Sequence, residues 1–180
     1  MGSVNEELFR GVPKPPPSEF VQRYIEGNPN RTWRDNLAFL IDNFPQVQNE
    51  QIQYLIEGGT GVKLLRPQRV DPEDIDFITR SEELALQFSS TPGLDAKSVE
   101  LWFKFRASRL LFTPQNVEKL FNLTQEVEFQ GRKIHILKPT VLAMSKDTRK
   151  WFNPRQKDMD DINLLGVSDD EIEEVIRKLT

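Results

Sequence analysis

The stretch "YLIEGGTGVKLL", residues 54–65, constrains the fold more than any other part of the chain. It runs an apolar, β-type segment directly into two glycines and then into a second apolar segment. Residues 52–57 ("IQYLIE") are expected as a strand, and 60–65 as a short helix after the glycines. Shortly afterwards "EDIDFIT", 73–79, alternates polar and apolar residues, as a strand with one buried face does. Residues two apart in a strand point to one side. Asp74 and Asp76 therefore aim two carboxylates at one place, a short connection away from Gly58 and Gly59. A chain with this segment has to build a sheet whose strand end, glycine turn and acidic pair lie close together.

The remaining elements follow from the same reasoning. Residues 1–31 read as an irregular arm. "GVPKPPPSEF" cannot be a helix interior, because proline lacks the amide donor and collides with the preceding turn. A short helix is expected near 20–25. Trp33, Leu37, Leu40, Ile41 and Phe44 recur at helical spacing, with Thr32 as cap, Asp35 behind it and Pro45 as stop. Ser81 caps a helix carrying Leu84, Ala85 and Phe88. "SVELWFKFR", 98–106, alternates as a strand, and Thr113-Pro114 opens a helix to 121. Residues 126–137 read as a hairpin turning at Gln130-Gly131. Helices are expected at 139–146 and 157–164. Ser168 with Glu171 forms a capping box before the stripe Ile172, Val175, Ile176, Leu179. The order predicts an α/β (α+β) fold: a mixed sheet flanked by helices, spanning 32–138, with a helical C-terminal portion, 139–180, packed on it.

Composition narrows the chemistry. The 180 residues include twelve Phe and three Trp, enough for a sizeable core. There is no Cys and one His, which excludes thiolate chemistry, HExxH zinc sites and histidine-rich metal sites. A net charge of -4 argues against gripping nucleic acid by bulk charge. No apolar run reaches membrane-spanning length and no signal-peptide pattern opens the chain, so the reading is a soluble, cytoplasmic protein without membrane partners.

Two short carboxylates on one face repel each other unless a cation sits between them. Hard oxygen donors favour Mg2+ or Mn2+. Glycines at a strand-to-helix junction let phosphate approach backbone amides. Together these features suit metal-assisted phosphoryl or nucleotidyl transfer. The bland alternative is a tight turn followed by a solvated strand. "GGTGVK" is not a P-loop, because the Gly-Lys-Ser/Thr order is absent.

The Gly-Gly turn followed by "DID" resembles the signature of the nucleotidyltransferase superfamily with the polymerase-beta-like fold. More narrowly, "GGTGVKLL…R…DIDF" is similar to abortive-infection nucleotidyltransferases, the toxin half of type IV toxin–antitoxin systems. Lincosamide-type antibiotic nucleotidyltransferases share this front end. The resemblance covers roughly 52–165. It implies Asp74, Asp76 and a third carboxylate, matched by Glu100 in "SVELWF", as metal ligands and catalytic groups. It implies nucleotide phosphates at Gly58, Gly59 and Thr60, with Lys146 in "AMSKDTR" reaching the triphosphate. In "RQKDMDDINLL", Lys157, Asp158 and Asp161 match the segment after that lysine. Three features depart from the pattern: Glu in place of the usual third Asp, Pro72 two positions before the acidic pair, and a short chain.

The resemblance implies transfer of a nucleoside monophosphate from an NTP to an acceptor hydroxyl, with Mg2+ or Mn2+ as cofactor. Glu100 or Asp158 is the expected base. The acceptor is open between RNA, protein and a small molecule, and a cognate antitoxin is an implied partner. For Lys146 a triphosphate contact and a solvated helix lysine both stand. Asp158 reads equally as a group that polarises a hydroxyl or as a helix cap. His135 reads as an exposed strand residue. Arg132, Lys133, Lys138, Lys146, Arg149, Lys150, Arg155 and Lys157 read as a basic wall beside the carboxylates or as ordinary solvated surface. The rival functions are a degenerate member that binds without transferring and a non-enzymatic interaction domain.

Overall fold

The computed structural model of the protein describes residues 17–99, 114–149 and 155–180. The first described helix, α1 (Glu19–Gly27), is capped by Ser18, whose hydroxyl accepts from Val21 N. Helix α2 (Trp33–Asn43) begins at the expected Thr32–Asp35 capping box. A small hairpin follows, β1 (Val47–Gln48) with β2 (Gln51–Ile52). The expected strand 52–57 is thus broken: Ile52 belongs to this hairpin, and the main sheet begins with β3 (Tyr54–Glu57). Helix α3 (Gly58–Leu65) starts at the next residue. Then come β4 (Ile75–Thr79), α4 (Glu82–Phe88), β5 (Leu94–Ser98), and α5 (Pro114–Glu118) with a 3-10 turn over Lys119–Asn122. The hairpin β6 (Thr124–Phe129) and β7 (Arg132–Leu137) precedes α6 (Pro139–Arg149), α7 (Gln156–Leu165) and α8 (Asp169–Leu179).

The five-stranded sheet has the order β5-β4-β3-β7-β6. It is mixed: β3 runs antiparallel to β4 and parallel to β7, while β4 and β5 are parallel. This is the expected α/β architecture. At the β3–β7 junction the Gln46 side chain donates to the carbonyls of Tyr54 and His135 and accepts from His135 N, which ties the two strands together. The hairpin turns where expected, with Gln130 and Gly131 both at positive φ (50° and 76°), the geometry of a two-residue turn.

Strand alternation sends side chains into two apolar layers. On one face Tyr54, Ile56, Ile75, Phe77, Leu94 and Ala96 pack with helices α1, α2 and α4. On the other, Leu55 and Ile78 pack with Val62 of α3 and with the apolar sides of α6, α7 and α8. The C-terminal helices therefore share a core with the sheet. Ile172, Val175, Ile176 and Leu179 are all buried, as their spacing predicted. No helix among the described residues is long and apolar enough to cross a membrane.

Most of the strand expected at 98–106 lies outside the described residues. The described strand here is Leu94–Ser98, earlier in the chain. "LDAKS" alternates too, with Leu94 and Ala96 on the apolar side, but the charged Asp95 and Lys97 interleaved with them obscure the pattern.

Phe77 is fully buried and its ring meets those of Tyr54 and Phe88. Phe77→Ala is expected to cost about 3–5 kcal/mol, read as a lower urea midpoint. Val70→Ala, at a side chain 77% exposed, should move stability by less than about 0.5 kcal/mol.

Candidate active site

Pairing across three strands builds the site. Glu57 is the register partner of Asp76, and Asp76 is the partner of Asp95. All three leave the sheet opposite Ile56, Phe77 and Ala96, on the side where Leu55, Ile78 and the C-terminal helices pack. Asp74 precedes the row by one strand repeat, and Lys97 follows it. Each of Asp74, Asp76 and Asp95 offers a carboxylate oxygen within 4.8 Å of the other two. The Lys97 ammonium reaches Glu57 at 3.2 Å, Asp95 at 3.3 Å and Asp76 at 3.4 Å. Glu57 is 0% exposed and Lys97 1%.

Among the described residues of the cluster, four carboxylates and one ammonium leave an excess of negative charge. Burial raises the Asp95 carboxyl to about 6, and the neighbouring Asp76 and Asp74 add to the rise against the opposing pull of Lys97. Asp74 is raised as well, by burial first and then by Asp76, while Lys97 and Lys157 pull the other way. Raised carboxyls in a tight oxygen cluster are what an added cation would relieve. The donor set, all hard carboxylate oxygen, fits Mg2+ or Mn2+.

The glycine turn abuts this cluster. Gly58 has φ +61°, which lets β3 pass into α3 with no intervening loop. A Cβ on Gly58 would collide with Asp76 Oδ2. A Cβ on Gly59 would lie 2.6 Å from the Arg69 guanidinium. Thr60, expected at the phosphates, donates its hydroxyl to the Asp74 carbonyl at 2.8 Å and so fixes the approach to β4.

A second charged group lies beyond Gly59. Arg69 grips Asp161 with two hydrogen bonds of 2.6 and 3.0 Å. Lys146 pairs with Asp161 at 2.8 Å and with Asp158 at 3.2 Å. Asp158 in turn accepts from Arg155 at 2.8 and 3.1 Å. Burial alone would raise the Asp161 carboxyl; the Arg69 hydrogen bonds and the Lys146 ammonium outweigh it and hold it below the usual range. Arg66 closes the far end of α7 by donating to the Leu164 and Leu165 carbonyls, a cation at a helix C-terminus.

The structure thus brings Asp74, Asp76, Gly58, Gly59 and Thr60 into one place. Glu100 lies outside the described residues; among the described residues, the carboxylate that joins the aspartate pair is Asp95. Lys146 is 5% exposed, so it is not the solvated helix lysine that was one reading of it; Asp158, 0% exposed, lies in the first turn of α7 but makes no side-chain cap hydrogen bond there. Both belong to the buried ion chain, with Arg69 and Asp161. Much of the expected basic wall is engaged in ion pairs: Arg132 holds Asp42, Lys133 approaches Glu126, and Arg155 holds Asp158. Lys157 is exposed and close enough to act on Asp74. Lys150 lies outside the described residues. Sequence reasoning missed Asp95, Lys97 and Glu57. The signal available was the Leu94/Ala96 alternation, which puts Asp95 and Lys97 on one face.

No protein-family model matches the sequence, and no curated protein matches it either. Among solved structures, an antigenic nucleotidyltransferase-like protein from Paracoccidioides brasiliensis aligns over 92% of this chain and 89% of that chain, at 14% identity and a TM-score of 0.44.

Two outcomes follow from the geometry. Gly58→Ala should lose about 1–2 kcal/mol from the left-handed backbone alone and displace Asp76, seen as lower stability together with weaker Mn2+ binding. The second concerns pH. Asp95 has a folded pKa above its unfolded value, so the native state binds the extra proton between about 4 and about 6. Its contribution to stability is complete below the unfolded pKa and is lost as pH rises through the folded one. In metal-free protein the stability advantage of Asp95→Asn over wild type should grow from pH 4 to pH 6 and then level, as measured by urea denaturation at each pH.

Proposed function

We propose that the protein is a metal-dependent nucleotidyltransferase, moving a nucleoside monophosphate from an NTP to an acceptor hydroxyl. The observation that carries this reading is the convergence of Asp74, Asp76 and Asp95 beside a strand-to-helix glycine turn. In this reading the three aspartates hold Mg2+ or Mn2+. The bound ion would polarise the reacting phosphate and help neutralise the departing pyrophosphate. The backbone at Gly58 and Gly59, where side chains are excluded, receives the phosphates. Thr60 keeps Asp74 aligned through its backbone carbonyl.

The acceptor oxygen attacks the α-phosphorus, its bond to phosphorus forms, the bond from the α-phosphorus to the bridging oxygen breaks, and pyrophosphate leaves. The acceptor proton passes to a carboxylate. Glu100 or Asp158 is the base that the sequence resemblance implies for that step. Lys146 and Asp158 act through the ion chain that positions Arg69 over Gly59. Glu100 is the alternative third ligand that the sequence resemblance implies. The same resemblance extends the reading to a toxin whose acceptor is RNA or protein and whose cognate antitoxin masks the site.

One observation favours a second reading, a domain that binds a nucleotide without transferring it. Lys97 already neutralises part of the carboxylate cluster. Calorimetry with Mg-NTP together with turnover separates the two. The test of the first is incubation of the protein with each α-labelled NTP, Mg2+ and a cell extract, followed by separation of RNA, protein and small molecules. Label should appear in one of these classes. Asp76→Ala and Asp95→Ala should reduce transfer by at least about a hundredfold, the equivalent of about 3 kcal/mol. Binding of Mg-NTP with no label in any acceptor would support the second reading, and absence of both would overturn each.

A further inference from the structure

Away from the carboxylates, one polar cluster has unfilled hydrogen-bonding capacity. Among the described residues, the buried side-chain polar atoms without a hydrogen-bond partner are Arg31 Nε, Ser90 Oγ and Thr91 Oγ1. The fold brings these residues to one place. Arg31 Nη2 donates to the Pro92 carbonyl at 2.8 Å, so the guanidinium lies against the loop that carries both hydroxyls. That loop is in turn pressed on α2: a Cβ on Gly93, at φ +82°, would lie 2.6 Å from Asn36 Nδ2. Thr91 is 4% exposed. Its backbone is already engaged, the N–H with the Phe88 carbonyl and the carbonyl with Leu94 N.

A buried polar group left unpaired forfeits its hydration with nothing in exchange, and native proteins rarely tolerate it. Here three such groups gather, and their chemistry decides what satisfies them. The two Arg31 Nη atoms donate to the neutral carbonyls of Asn28 and Pro92, and among the described residues no carboxylate pairs with this guanidinium. Asp35, four residues on, uses its Oδ2 to accept from Thr32 N and Oγ1. An N–H on a cation and two hydroxyls all donate to one kind of ligand, an oxyanion. Guanidinium-to-phosphate hydrogen bonds are among the strong ones. A water molecule fills the same bonds but leaves the positive charge unanswered. The cluster also borders the carboxylate end of the sheet: Ile75 N donates to the Gly93 carbonyl at 2.9 Å, and Asp95 follows two residues after Gly93. We propose that Arg31, Ser90 and Thr91 form an oxyanion subsite for a phosphate group, free or carried by a nucleotide, separate from the Asp74–Asp76–Asp95 cluster. The subsite needs no metal, so it stands independently of the nucleotidyltransferase reading.

The test is a titration of the full chain, free of divalent ions, with inorganic phosphate and separately with a nucleoside 5′-monophosphate. Proton–nitrogen NMR follows the Arg31 Nε–H and the backbone amides of Ser90 and Thr91. Wild type should show a saturable shift of these resonances, with a Kd of about 1 mM or tighter. Tighter binding of the nucleotide assigns the subsite to a nucleotide's phosphate; equal or weaker binding assigns it to free phosphate. Thr91→Val keeps the side-chain shape and removes a hydroxyl that bonds to nothing in the protein. It should be at least as stable as wild type in urea, yet bind phosphate at least about tenfold more weakly, the loss of one hydrogen bond to a charged group. Arg31→Gln should abolish the shift of the Ser90 and Thr91 amides. Circular dichroism establishes that each variant is folded; should Arg31→Gln not fold, Thr91→Val and Ser90→Ala decide the matter. No saturable shift in wild type with either probe would overturn the proposal and leave the three atoms to water. Unchanged affinity in the folded variants would overturn it too, because the anion would then bind elsewhere. With no divalent ion or triphosphate present, failure here leaves the metal-site reading untouched, and failure of that reading leaves this subsite in place.

Discussion

The contact on which the rest depends is the Lys97 ammonium among Glu57, Asp76 and Asp95. The sheet pairs three acidic residues in a row across β3, β4 and β5. Like charges directly opposite one another on neighbouring strands oppose folding. A buried lysine reverses the sign of the closest interactions and makes this strand order tolerable. It does so incompletely. The raised carboxyls of Asp74 and Asp95 mark negative charge that Lys97 does not fully offset.

A second charged group of opposite character faces it. Arg155, Asp158, Lys146, Asp161 and Arg69 alternate in sign, with three cations to two anions. Breaking such a buried chain by removing one partner strands a charge, so its members fix α6 and α7 against the loop that carries Arg69. The two groups meet at the glycine turn. Gly58 must lack a side chain because Asp76 lies against it; Gly59 must lack one because Arg69 does. The turn is the seam between a carboxylate cluster and a net-positive chain. A polyanion laid along that seam meets Arg69 on one side and would need a cation on the other.

The sequence was legible where the determinants are local. The capping boxes at Thr32 and Ser168, the Gln130-Gly131 turn and the apolar stripe of α8 each depend on residues within a few positions, and each formed as its pattern predicts. The Asp74 and Asp76 pair was legible for the same reason. Asp95 was not, because it is placed by register between strands that a single sequence does not display. Asp95 lies in a short segment that mixes charged and apolar residues, "LDAKS", beside the far stronger alternation of "VELWFKF", which drew attention to Glu100. Lys146 and Asp158 show the complementary difficulty. Their types and spacing single them out, but burial decides their role, and burial follows from how α6 and α7 pack.

That packing also changes how the C-terminal helices are understood. From sequence, 139–180 reads as a portion laid onto a finished sheet. Yet Leu55 and Ile78 share one apolar cluster with Leu142, Ile162 and Ile176, and those two strand residues point to the same side as Glu57 and Asp76. The helices that bury the sheet on that side are the helices that deliver Lys146, Asp158 and Asp161. Lys157, on the first turn of α7, acts on Asp74. One apolar layer thus sets the distance between the carboxylate cluster and the ion chain. A change in the α6–α7 core should act on the site without touching a charged residue, because that layer and the glycine turn support both charged groups.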